Sequence, residues 1–103
     1  MKDRRIYFSK MLGYTIEARK YIKDIDYEQF VMNNEKIAAC SFAICQISEF
    51  AQHIDDADKK RFTAIPWVAI RAMRNRVVHD YDNIDKKMLW DTIKEDLPKL
   101  AQR

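Results

Sequence analysis

Apolar residues recur at helical intervals along most of the chain. Ile6, Leu12, Ile16, Ile22 and Ile25 mark a first helix from about Asp3 to Asp24, with Tyr7, Tyr14 and Tyr21 in heptad register. The tyrosine row reads as a half-buried edge of the core rather than a platform for stacking bases. Gly13 lies inside this helix, costs about 1 kcal/mol relative to Ala, and points to close packing against a neighbour. Asp26 with Gln29 forms a capping-box variant that starts a short helix through Met32. Asn33-Asn34 interrupts it, and either residue can cap the next helix, from about Glu35 to His53. Ile37, Cys40, Ser41, Ile44, Cys45, Ile47 and Ala51 give that helix a wide apolar face, as a central core helix requires. The charged stretch Asp55 to Ile65 reads as a surface connection. Pro66 opens a further helix, where its missing N–H costs nothing, with Ile70, Met73 and Val77 as the buried stripe and an end near His79. Asp82-Asn83 makes a turn, since Asn tolerates the left-handed conformation. Asp85 caps the last helix, Ile84 and Leu89 are placed as a hydrophobic staple, Met88, Leu89, Trp90 and Ile93 face inward, and Pro98 ends it. The pattern predicts an all-α, up-and-down bundle of four main helices plus one short helix, in a single domain over residues 1–103.

Composition supports this reading. The chain has one Gly and two Pro in 103 residues, so the turn chemistry of hairpins is nearly absent. No internal repeat or low-complexity segment is present. The hydrophobic share of 48% and charged share of 34% fit a packed core with a solvated exterior. A net charge of +3 permits nucleic-acid binding, but any basic surface must be local or built by oligomerisation. Met1-Lys2-Asp3-Arg4-Arg5 lacks the apolar stretch of a secretory signal, and no run approaches the ~20 apolar residues of a membrane span. A cytoplasmic protein is expected. Cys40 and Cys45 point about 140° apart on a helix, which makes a mutual disulfide improbable and favours two small buried hydrophobes. The second pair of N/S ligands for zinc is missing, so neither a metal nor a cofactor is expected.

The residues richest in chemistry are Arg74-Asn75-Arg76-Val77-Val78-His79-Asp80-Tyr81. They hold a fixed positive charge that binds phosphate, a group that moves protons near neutrality, and a phenol. On a wheel with Arg74 at 0° and about 100° per residue, the apolar stripe centres near −70°, Arg71 lies near 60°, Asn75 near 100° and His79 near 140°. Arg71, Asn75 and His79 thus form a polar strip, and Arg74 sits beside it at the edge of the core. In an ideal helix Arg74 and His79 do not share a face. Either the helix loosens before His79, or a second subunit completes the group. A basic helix end, in which Arg and His⁺ simply complement the helix dipole, is the bland alternative.

The wider sequence separates these readings. Ile65-Pro66-Trp67, Ile70-Arg71-Ala72-Met73 and the motif through Tyr81, then Trp90, Ile93 and Asp96-Leu97-Pro98, closely resemble the HepT-like family of HEPN domains. The resemblance also reaches Ile44 to Ala51, is most specific from Ile65 to Tyr81 and is less so before Glu35. It implies a helical bundle that dimerises and a metal-independent endoribonuclease that is the toxin of a toxin–antitoxin pair. The family's catalytic Arg and His fall on Arg74 and His79, and its following polar residue on Asn75. The implied partner is an MNT-type nucleotidyltransferase antitoxin, which neutralises the toxin by adding AMP units from ATP to the motif tyrosine, here Tyr81. Ser48, Ala72 and Asn83 stand where the family commonly has Gly, and none of them touches the Arg, His or Tyr.

The expected reaction is transesterification within RNA, tRNA or mRNA. His79 takes the proton of a ribose 2′-OH, Arg74 holds the nonbridging oxygens, and Asn75 orients a phosphate or the imidazole. In a two-fold homodimer the second His79 protonates the leaving 5′-oxygen, and the active site is a cleft between protomers. Glu49 either binds Arg71 or Arg74 across the bundle or is a solvated surface residue. Lys59-Lys60-Arg61 either widens an RNA-binding rim or is plainly solvated. The rivals are a catalytically silent HEPN dimer that only docks to a nucleotidyltransferase, and a helical scaffold in which Arg74 and His79 are structural.

Overall fold

The computed structural model describes residues 3–102; the charged start at Met1 and Lys2 lies outside them. Six α-helices follow in order: α1 (Arg4–Tyr21), α2 (Tyr27–Val31), α3 (Asn34–Ala51), α4 (Asp56–Arg61), α5 (Trp67–His79) and α6 (Lys86–Asp91). A 3-10 turn at Tyr81–Asn83 joins α5 to α6. After α6 the chain continues as a π-helical turn, Thr92–Asp96, and a 3-10 segment, Leu97–Gln102. The all-α bundle is therefore as expected, with α1, α3, α5 and the composite C-terminal helix as its four main members.

Short polar side chains set the helix starts. Asp3, Asn33, Asp55 and Asp85 each accept a backbone N–H of the following turn. At α2 both bonds of the predicted capping box form: Gln29 N donates to Asp26 Oδ1 at 2.8 Å, and Asp26 N donates to Gln29 Oε1 at 2.9 Å. Helix α3 packs against α1, α2, α5 and α6, and its Ile37, Cys40, Ala43, Ile44 and Ile47 are buried. It is the central helix that its apolar face predicts.

Several expectations need correction. The inward stripe of α1 is Phe8, Met11, Thr15 and Ala18, whose three-and-four spacing keeps them on one face; Ile6 and Ile16 are exposed. The tyrosines flank that stripe, partly buried against the core. Helix α1 stops at Tyr21, short of Asp24, which adopts a left-handed φ of 64° and turns the chain into α2. Gly13 is exposed, and a Cβ there meets nothing within 4 Å, so close packing is not its role.

The stretch read as a connection contains α4. It buries none of its residues, so no apolar period marks it. It is held by the Asp55 cap and by the ion pair of Arg4 with Asp58, which ties it to α1. Asn83 is not left-handed; its Nδ2 instead donates to Asp80 Oδ1 at 2.9 Å and closes the 3-10 turn. Pro98 does not end the helical path. In an α-helix its ring would clash with the Lys94 carbonyl. The turn ahead of it widens instead, with Leu97 N–H donating to Thr92 O.

Candidate functional site

Helix α5 presents the motif. Ile70 and Met73 are buried and Val77 packs on the core from the side, which fixes the rotation of the helix. Arg71, Asn75 and His79 are all exposed, and Arg74 is half-buried, as the wheel requires. The helix stays regular through His79, since Asp80 N–H still donates to Arg76 O at 3.0 Å. It breaks at Asp80, whose backbone leaves the helical region with φ −155° and ψ 51°. The helix therefore does not loosen ahead of His79. Over five residues the two groups separate by about 7.5 Å along the axis and about 140° around it.

Arg74 is nevertheless drawn towards the polar strip. Its Nη1 donates to Asn75 Oδ1 at 3.0 Å, which leaves the other guanidinium N–H groups to bind an anion. On its other side Arg74 lies close enough to Cys45 of α3 to favour the thiolate, although burial is the larger influence and leaves that thiol above its ordinary pKa. Cys45 is only half-buried, unlike Cys40, whose pKa burial pushes up to about 12. Both thiols are free. The position of Cys45 at the α3–α5 seam was not anticipated. Its place on the α3 wheel, at the border between the buried arc and the exposed Phe42 and Glu49, is the signal that marks it.

His79 is exposed, and among the described residues no side chain pairs with it. Tyr81 opens the 3-10 turn with 41% of its surface exposed. Glu49 is exposed, and among the described residues no ion pair or hydrogen bond joins it to Arg71 or Arg74; the proposed bridge across the bundle is absent. Among the described residues no three His, Cys, Asp or Glu side chains converge as a metal site needs, and no helix is long and apolar enough to cross a membrane. Two apolar side chains are exposed: Val78 within the motif, 52% exposed, and Phe42 on α3, 58% exposed, whose ring centre lies 6.2 Å from that of Tyr14 on α1.

Comparison with known proteins identifies the family. The sequence matches the model described as "Ribonuclease HepT-like" over residues 11–103. It is 30% identical over 101 residues to "Putative RNase MJ1380" of Methanocaldococcus jannaschii, covering 98% of this chain and 93% of that protein. It is 31% identical over 81 residues to "Probable ribonuclease HepT" of Thermococcus cleftensis, covering 79% of this chain and 74% of that one. A third relative, "Putative RNase TTE0752" of Caldanaerobacter subterraneus, is 24% identical over 103 residues, covering 100% and 92%. No solved structure matches the chain. With a helical bundle that carries an exposed Arg-x4-His-x-Tyr helix end, and a family match over nearly its whole length, the chain belongs to the HepT-like, HEPN-type ribonuclease family.

Proposed function

We propose that this protein is a metal-independent endoribonuclease that acts as the toxin of a toxin–antitoxin pair, with its active site in a cleft between two protomers. The observation that carries the reading is the state of α5. His79 is exposed and unpaired among the described residues, Arg74 is anchored on Asn75 Oδ1, and the two stand on different sides of one regular helix. A second copy brings the opposite face of the same motif to each. Exposed Phe42 and Val78 supply an apolar surface for that contact.

In this reading His79 removes the proton of a ribose 2′-OH. The 2′-oxygen bonds to phosphorus as the P–O5′ bond breaks, and the leaving oxygen takes a proton from the partner subunit's His79. Arg74 and the side-chain amide of Asn75 hold the nonbridging oxygens as their charge grows. The products are a 2′,3′-cyclic phosphate and a 5′-OH. DNA, lacking the 2′-OH, is not cut.

Tyr81 is the regulatory site of the same reading. Its phenol oxygen attacks the α-phosphorus of ATP on an MNT-type nucleotidyltransferase, pyrophosphate leaves, and an AMP group with one negative charge remains two residues from His79. Bulk and charge together then repel RNA. Intact mass after incubation with such a partner and ATP is expected to rise by whole AMP units in the wild type and not in Tyr81→Phe.

The deciding experiment uses the purified protein and an end-labelled single-stranded RNA. Cleavage that survives EDTA, spares the DNA of the same sequence, leaves cyclic phosphate ends and disappears in His79→Ala is expected. Loss of cleavage in EDTA, or equal cutting of DNA, would sink the mechanism.

A further inference from the structure

Helix α4 and the first turn of α5 border a groove of about 740 Å³, lined by Lys59, Lys60, Ile65, Trp67 and Val68 among others. A hollow of about 300 Å³ adjoins it, shares Asp56, Lys59, Trp67 and Val68 with it, and is lined further along by Arg71. The two form one trough from Lys60 to Arg71. Arg71 is also the first residue of the polar strip on which Asn75 and His79 follow at intervals of four. The trough therefore leads to the proposed active site along a single helix.

Its chemistry suits a polyanion with an apolar side. Lys59, Lys60 and Arg71 contribute three cations, and Asp56 is the carboxylate in the wall. Asp58, next to Lys59, is engaged by Arg4 and does not neutralise it. The Lys59 Nζ stands 5.7 Å from the centre of the Trp67 ring, and the indole is itself fixed by Nε1–H donating to Phe62 O at 3.1 Å. The ammonium thus has a defined place in the trough. Val68 borders both hollows and, at 82% exposed, stands at their rim. From Arg71 to His79 the helix rises about 12 Å, so a strand lying along α5 can reach both residues.

We propose that this trough is a subsite for single-stranded RNA flanking the cut, with Lys59, Lys60 and Arg71 on successive phosphates and Val68 against a base or sugar face. The proposal rests on the ribonuclease reading for its direction, but binding can be measured without cleavage. The probe is a fluorescent all-2′-O-methyl RNA of about twelve nucleotides, which has no 2′-OH to react, followed by anisotropy across a salt series. Lys59→Gln/Lys60→Gln is expected to bind roughly tenfold more weakly, with the slope of log K against log salt shallower by about 1.4, the share of two phosphate contacts on a single strand. Lys60→Gln alone, at an exposed position, is expected to lose about half of that slope. The double variant is also expected to raise KM for a long cleavable RNA while cutting a dinucleotide as the wild type does. Unchanged affinity and slope would overturn the subsite even if RNA is cut. Weaker binding by the variant, together with a wild type that cuts nothing, would uphold the subsite and overturn the nuclease reading instead. Displacement of the RNA by polyglutamate at equal charge concentration would overturn RNA as the ligand in favour of an acidic protein.

Discussion

The hydrogen bond from Arg74 to Asn75 Oδ1 joins consecutive residues that point about 100° apart on the helix. It is possible because the guanidinium reaches along the surface while its stem packs at the core edge. A lysine keeps the charge and loses the planar fork, so Arg74→Lys is expected to lower kcat by about 100-fold or more with little change in melting temperature. The same residue leaves a mark on Cys45. Burial raises that thiol's pKa and Arg74 opposes the rise. Replacing Arg74 with Gln is therefore expected to slow alkylation of Cys45 at mildly alkaline pH, a measure of where the guanidinium sits that does not depend on activity. Cys40, at about 12, stays protonated in the native protein. Its folded pKa lies above the ordinary thiol value, so its contribution to stability is present below about pH 9 and is lost as pH rises towards about 12. Cys40→Ala is expected to flatten that alkaline limb in a urea-unfolding series.

At the level of elements, what the chain announces in advance is what an apolar period or a cap can encode. The caps at Asp26 and Asp85 and the stripe Ile70, Met73 and Val77 were legible because each is a short-range pattern with one structural solution. Helix α4 was not, because DADKKR has no buried face; its helix depends on Asp55 and on Arg4, which lies more than fifty positions away. Pro98 misled for a related reason: the rule forbids a regular turn there, and a widened turn satisfies it equally well. Gly13 looked like a packing residue because a glycine in a helix needs a reason, and the structure supplies none. Gly13→Ala is expected to stabilise the protein by about 0.5–1 kcal/mol, read as a rise of several degrees in Tm. Asp85→Ala is expected to cost about 1 kcal/mol, since Met88 N–H loses its acceptor at 2.9 Å. For the candidate site, the wheel gave the strip of Arg71, Asn75 and His79 correctly. The bond between neighbours at Arg74–Asn75 and the nearness of Cys45 required side-chain geometry that no periodicity carries.

At the level of the whole molecule, the principal extents are 42 × 28 × 19 Å. The short dimension is about two helix diameters, so a monomer has little depth in which to enclose a phosphodiester. That shape favours a site completed by a second copy, and the exposed ring of Phe42 on α3 offers a place to test it. Phe42→Glu introduces a charge where an apolar side chain is exposed; sedimentation is expected to show a dimer for the wild type and a monomer for the variant, with cleavage lost in parallel. The core gives a contrasting prediction. Ile44 is fully buried in α3, so Ile44→Ala is expected to cost about 2–5 kcal/mol and to act on folding rather than on the chemistry.

Helix α4, moored through Arg4 and contributing nothing to the interior, behaves as an outrigger. Its amides are expected to swap hydrogen for deuterium well before those of α3, and faster still in Arg4→Ala. If the proposed subsite and active site hold, warming is expected to loosen α4 first, so that selectivity for long RNA fades before turnover of short ones does.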